Sequence, residues 1–235
     1  MESEMNRMDL AWAVRRLPAP IRDLLKAHGP KVFMAGGYLR AIVSGEKVSD
    51  LDLFAPSKDY AEACAKELAG DGKPHETDNA FTVRTKPYVT QFIHRWTFTD
   101  PKDAIASFDF TIAQAAIWWT EEGWRSCCAP GFYADLAAKR LVYTAPARNE
   151  DAGGSMLRVL KFYQRGYRIP LDSLGAVIAR LALGVERINK AASSEAWLAK
   201  IITALLTEVD PLIDPDHISH LPSTDEPTEA TANGS

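Results

Sequence analysis

Val32-Phe33-Met34-Ala35-Gly36-Gly37-Tyr38-Leu39-Arg40, followed by Ser49-Asp50-Leu51-Asp52-Leu53-Phe54, is the stretch on which the reading of the chain turns. The apolar run Val32 to Ala35 predicts a short buried strand, Gly36-Gly37 a tight turn, Tyr38 to Ser44 a helix, and Asp50 to Phe54 a second strand. Glycines lack a β-carbon, so backbone amides there can approach an anion, and a helix that begins at such a turn adds its N-terminal partial positive charge. Residues two apart in a strand share a side, so Asp50 and Asp52 present their carboxylates together while Leu51 and Leu53 turn into the core. The order is that of an anion cradle facing a pair of acids, and two like charges held so close call for a cation. Magnesium suits them, because it takes one or two protein carboxylates and fills its other positions with water and phosphate oxygens.

The succession of strand, Gly-Gly, helix and acid-apolar-acid strand resembles the nucleotidyltransferase superfamily of DNA polymerase β. More closely, it is similar to the head and neck of class II tRNA CCA-adding enzymes and bacterial poly(A) polymerases. Further blocks follow in the same order: Asp109-Phe110-Thr111-Ile112, Asp135-Leu136, then Leu157 to Phe162 with Gly166-Tyr167 and Ile169, so the likeness runs from about residue 31 to about residue 170. The resemblance implies an α/β fold, a small mixed sheet with helices packed on one side, followed by an all-α C-terminal region. It implies a nucleotidyltransferase head over 1–145 and a helical neck-like domain over 146–221, and the Thr-, Glu-, Pro-, Asn- and Gly-rich composition from Pro222 predicts a disordered tail over 222–235.

The activity it implies is transfer of a nucleoside monophosphate from a nucleoside triphosphate to a hydroxyl, with release of pyrophosphate. Asp50 and Asp52, joined by Asp109, would be the catalytic and metal-binding acids and hold two magnesium ions; Gly36, Gly37 and Arg40 would bind the triphosphate. Arg158 and Lys161, three apart on a predicted helix from Ser155 to Arg165, share a face and are the basic candidates for a further nucleotide contact. The implied acceptor is an RNA 3′ end, a tRNA among the candidates. A protein or small-molecule hydroxyl is the alternative, as is a non-catalytic nucleotide- or partner-binding module on the same fold.

Several positions depart from the family pattern. A strand near residues 89–94 often carries an acid in the related enzymes, and the corresponding inward polar residue here is Gln91. Phe108-Asp109-Phe110 is the apolar-acid-apolar triplet that the superfamily uses for its third carboxylate. By the CCA-adding resemblance, Asp109 instead contacts the nucleotide sugar, with Ser107, Phe108 and Ala113 where the family has Arg, Arg and Asn. On a third reading, Asp109 caps a helix from Thr111 to Trp119. Asp151, Ala152 and Ser155 stand where Glu, Asp and Arg read the base in the related enzymes, which argues against C-then-A specificity. Ala41 follows Arg40 where an aspartate is usual.

Elsewhere the signals are structural. Residues 8–27 predict an amphipathic helix broken at Pro18-Ala19-Pro20; Asp59 to Leu68 predicts a helix ended by Gly70; Phe81-Arg84 and Val89-His94 predict a hairpin around Lys86-Pro87. Trp118, Trp119 and Trp124 read as packing residues, with stacking on a base as the alternative, and Arg84 and Arg95 as secondary triphosphate candidates. Apolar residues recur at helical spacing from 171 to 209, with Ala191 to Ser194 dividing two helices.

The 235 residues, 46% hydrophobic and 25% charged, are enough to bury a real core. A net charge of −4 provides no global field for nucleic acid, so any contact with a polynucleotide is local and short. Cys64, Cys127 and Cys128 match neither a zinc spacing nor a disulfide framework, and together with an acidic N-terminus and no membrane-length apolar run they point to a cytoplasmic protein.

Overall fold

The computed structural model describes residues 3–146, 152–188, 197–200 and 202. The chain divides into two compact units, Met1–Arg148 with Val159–Val177, and Asn149–Arg158 with Ile178–Ser235. The first holds the sheet. Its strands are β1 Phe33–Ala35, β2 Asp50–Phe54, β3 His75–Glu76, β4 Ala80–Arg84, β5 Val89–Ile93, β6 Ala115–Thr120 and β7 Gly123–Cys128, in the order β3-β4-β5-β2-β1-β6-β7. Only β2 and β5 pair in parallel; every other neighbour is antiparallel, so the sheet is mixed.

Helices α1 Arg7–Arg16 and α2 Ala19–His28 are separated by the predicted proline break, with Pro18 as the N-cap of α2. Helix α3 runs Gly37–Ser44, α4 Lys58–Ala69, α5 Pro101–Ala106, α6 Phe132–Ala137, α7 Ala152–Gln164 and α8 Leu171–Ile188. α2 packs on β6, α3 on β2, and α4 on β4 and β5. The face they cover carries Met34, Leu51, Leu53, Phe92 and Ile117, all fully buried. The expectation of helices on one side needs correction, because α5 lies on β1, β6 and β7 over a second core of Phe33, Ala35, Phe54, Ile105, Ala116 and Cys127. Inward-facing apolar residues on both sides of those strands, such as Phe33 beside Met34, make two helical layers necessary there.

The predicted helix from Thr111 to Trp119 is a short 3-10 turn, Thr111–Ala113, followed by strand β6. The sequence Ala115-Ala116-Ile117-Trp118-Trp119 tolerates either state. Pairing of Met34 with Ile117 and of Trp119 with Trp124 decides for the strand, a case of tertiary contacts overriding local propensity. Trp119 and Trp124 meet edge to face at 5.5 Å, as packing residues. The three cysteines are buried and form no disulfide among the described residues, with Cys127 and Cys128 within β7. Asp151, the Ala191 to Ser194 break, residues 203–209 of the predicted helical stretch and the tail lie outside the described residues. No helix among the described residues is long and apolar enough to cross a membrane.

Candidate active site

Gly36 joins β1 to α3 at φ +89° and ψ −129°, a conformation that L side chains rarely adopt. Its N–H donates to the Ala115 carbonyl at 3.0 Å and its carbonyl accepts from the Arg40 N–H at 3.3 Å, so the turn is stitched to both sheet and helix. Gly37 opens α3, and a β-carbon there would meet nothing nearer than Arg40 Nη1 at 3.9 Å. The cap has no side-chain acceptor for the first-turn amides. An open helix N-terminus with a guanidinium tip beside it is an anion-binding arrangement.

Asp50 and Asp52 lie on one face of β2 and are partly exposed, while Leu51 and Leu53 are fully buried behind them. Ser49 Oγ donates to Asp50 Oδ1 at 2.6 Å. The register spreads this face into rows: Asp50 beside Val89 and then Arg84, Asp52 beside Gln91 and then Thr82, and Phe54 beside Ile93 and then Ala80. The first two rows are polar or exposed, and the third is where the apolar half begins. Phe98 and Phe108 close over Phe54, with ring centroids 6.0 and 5.9 Å away. Phe108 also lies against Gly36, so one ring bounds both the cradle and the apolar end of the acid strand.

Asp109 follows Phe108 and is buried; its carbonyl accepts from the Thr144 N–H at 2.9 Å. It is not the N-cap of a helix, since the 3-10 turn is capped at Phe110 and β6 follows. Among the described residues no three His, Cys, Asp or Glu side chains form a group able to hold a metal ion, so Asp109 does not stand in one cluster with Asp50 and Asp52. Asp50 and Asp52, hard oxygen donors on one strand face, are ligands of the kind magnesium takes when its other positions are filled by water and phosphate.

Arg40 has a partner set that sequence reasoning missed. The residue is 7% exposed, with Nε 3.5 Å from Glu46 Oε2 and the guanidinium over the Phe162 ring at 4.8 Å. Tyr167 donates its hydroxyl to Glu46 Oε1 at 2.8 Å. Burial lowers the Arg40 pKa, and Glu46 works against that shift; burial together with the hydrogen bond to Glu46 raises that of Tyr167. No local pattern announces these contacts, because Phe162 and Tyr167 are more than a hundred residues from α3 in sequence. Lys161, by contrast, is exposed on α7, three residues from the half-buried Arg158. Arg95 is held by Asn79 Oδ1 at 3.0 Å and lies over Trp96, while Arg84 is exposed at the end of β4. Asp135 is a structural acid: it accepts from Thr111 Oγ1 at 2.6 Å and pairs with Arg140 at 2.6 Å.

A glycine turn into a helix, an acid-apolar-acid strand beside it and a mixed sheet define a nucleotidyltransferase-like fold. Solved structures bear out that fold. The CCA-adding enzyme of Thermotoga maritima complexed with tRNA matches with a TM-score of 0.54 at 19% identity, covering 90% of this chain and 56% of that one. A CCA-adding enzyme complexed with ATP matches with a TM-score of 0.55 at 19% identity, over 90% of this chain and 56% of that one. A tRNA-processing enzyme in an apo form matches with a TM-score of 0.56 at 21% identity, over 84% of this chain and 56% of that one. The chain therefore spans a little over half the length of these proteins, and at such identities the likeness is one of fold. No curated protein matches the chain significantly. The sequence profile of the Gabija anti-defense 2 family matches residues 10–139, and the chain belongs to that family.

Proposed function

We propose that the protein is a nucleotidyltransferase that moves a nucleoside monophosphate from a nucleoside triphosphate to a hydroxyl acceptor and releases pyrophosphate. One observation carries the reading: two carboxylates stand half-exposed on β2, on the half of their sheet face that α5 leaves open, one strand from the Gly36 turn that starts α3.

Asp50 and Asp52 would hold magnesium, which when bound supplies charge neutralisation at the phosphates and lowers the pKa of the attacking hydroxyl. Gly36 and Gly37 let the triphosphate approach the first-turn amides of α3, and Arg40, anchored by Glu46 and Phe162, adds a fixed positive charge beside Gly37. Asp109, buried next to Phe108, serves the nucleotide side, and Lys161 is a further candidate for a phosphate contact. Catalysis on this plan is positioning and electrostatic stabilisation.

Likeness to a structure complexed with tRNA supports an RNA 3′ end as acceptor. Membership of an anti-defense family favours a second reading, in which the acceptor is a hydroxyl on a component of the Gabija defence. Purified protein is incubated with magnesium, each α-labelled nucleoside triphosphate in turn and total cellular RNA, then with extract from Gabija-expressing cells. Label on RNA that disappears with Asp50→Ala/Asp52→Ala supports the first reading, and label on a protein supports the second. Label on no acceptor, with triphosphate binding unchanged in the double variant, leaves a binding module as the conclusion.

A further inference from the structure

Gln91 occupies a position that the proposed chemistry has not yet used. On parallel strand β5 it stands in register with Asp52 on the neighbouring β2, and on its other side in register with Thr82 of β4. Register partners on adjacent strands are about 5 Å apart and point to the same face, so the amide of Gln91 flanks the Asp52 carboxylate. It is half-buried, and the backing residues Phe92, Leu51 and Leu53 are fully buried, so β5 cannot slide to move it away. Its other neighbours on that face are also uncharged: Thr82 in the same row, Val89 and Ile93 along the strand. The adjoining row carries one charge on each side of Val89, Asp50 on β2 and Arg84 on β4.

Resting on the nucleotidyltransferase reading, we infer that Gln91 is the neutral third member of the metal-side set, and that it fixes the charge of the site at that of two carboxylates. The consequence is a division of labour. A site of two acids and an amide holds a divalent cation weakly by itself, because most of the attraction between a carboxylate and the ion is offset by loss of water from both. Triphosphate oxygens supply the missing negative charge, so the cation and the triphosphate enter together, and an empty enzyme does not store metal. Gln91 is thus a positioning residue: its amide can hydrogen-bond to water on the ion while adding no charge.

Manganese serves as the probe, titrated against the full-length chain without nucleotide and followed by water-proton relaxation, with variants Gln91→Glu and Asp52→Asn. Gln91→Glu is expected to tighten manganese binding about tenfold or more, through one added carboxylate beside Asp52, with a melting temperature close to that of the parent because the site is half-exposed. Asp52→Asn is expected to weaken binding in both backgrounds. If Gln91→Glu leaves manganese affinity within about twofold while Asp52→Asn still weakens it, the role given to Gln91 is wrong and the metal reading stands. If Asp52→Asn changes nothing, the metal reading itself fails and the inference falls with it.

Discussion

Replacing Gly36 and Gly37 singly by alanine separates what the glycine pair does for the fold from what it does for the ligand. At Gly36 an added β-carbon would sit 3.6 Å from Phe108, an ordinary contact, so crowding contributes little. The penalty comes from the backbone, since φ +89° with ψ −129° is a region that only glycine occupies readily. Such strain costs about 2–3 kcal/mol, which for a chain of this size lowers the melting temperature by about 4–12 °C. Relief by rotation is blocked, because the Gly36 N–H and carbonyl are both bonded, to Ala115 and Arg40. At Gly37 the backbone is helical and the added methyl meets only Arg40 Nη1 at 3.9 Å, so stability should stay within about 1 kcal/mol of the parent. That methyl does intrude on the amides at the start of α3, and triphosphate binding should weaken about tenfold or more, or about 1.4 kcal/mol. Urea denaturation followed by tryptophan fluorescence, paired with titration of a fluorescent ATP analogue, reads both quantities. A Gly36→Ala protein as stable as the parent refutes the strain argument, and a Gly37→Ala protein that binds ATP undiminished refutes the cradle.

Removal of the Arg40 side chain leaves Glu46 with Tyr167 alone, so Arg40→Ala should cost about 3–5 kcal/mol, and Glu46→Gln less because the Tyr167 hydroxyl keeps an acceptor; a double-mutant cycle by urea denaturation measures the coupling. Asp135→Ala should destabilise by about 2–3 kcal/mol through loss of the Thr111 and Arg140 contacts while leaving triphosphate binding unchanged, which denaturation and nucleotide titration test together. Burial pushes the Cys64 thiol up from 9.0 to about 12. Its contribution to stability is therefore fully present below pH 9 and is lost as the pH rises toward 12, because the unfolded chain ionises first. Urea midpoints should fall across that alkaline window, and less so for Cys64→Ala measured against its own neutral-pH value.

The segment from Val32 to Phe54 was legible because each of its signals is local: glycine at the turn, alternation of Asp and Leu, helix-forming Tyr38 to Ser44. The hairpin around Lys86-Pro87 and the capped helix after Ser57 belong to the same kind. What escaped depended on partners distant in sequence. Ala115 to Thr120 became a strand through Met34 and Trp124, and α5, only six residues long, covers a second sheet face that periodicity could not foresee. Arg40 could be placed near the glycines by the motif, but not tied to Glu46, Phe162 and Tyr167, since a buried ion pair leaves no periodic trace. Gln91 was legible as a position and acquired meaning only when the register set it beside Asp52.

The sheet order also has a bearing on solubility. The acid strand β2 lies at its centre, and the open edges are β3 and β7. Exposed strand edges invite the edge of another molecule, and natural proteins blunt them by shortening or covering. β3 is two residues long, and Lys58 bonds to Glu76 across it at 2.6 Å, a charged end on a stub. β7 is six residues long and finishes in two buried cysteines, but Ser3 exchanges both backbone hydrogen bonds with Cys128 and the Met5 N–H donates to Ser126 Oγ. The N-terminal segment thus covers the β7 edge, three strands from the acids, and shields it from edge-to-edge association.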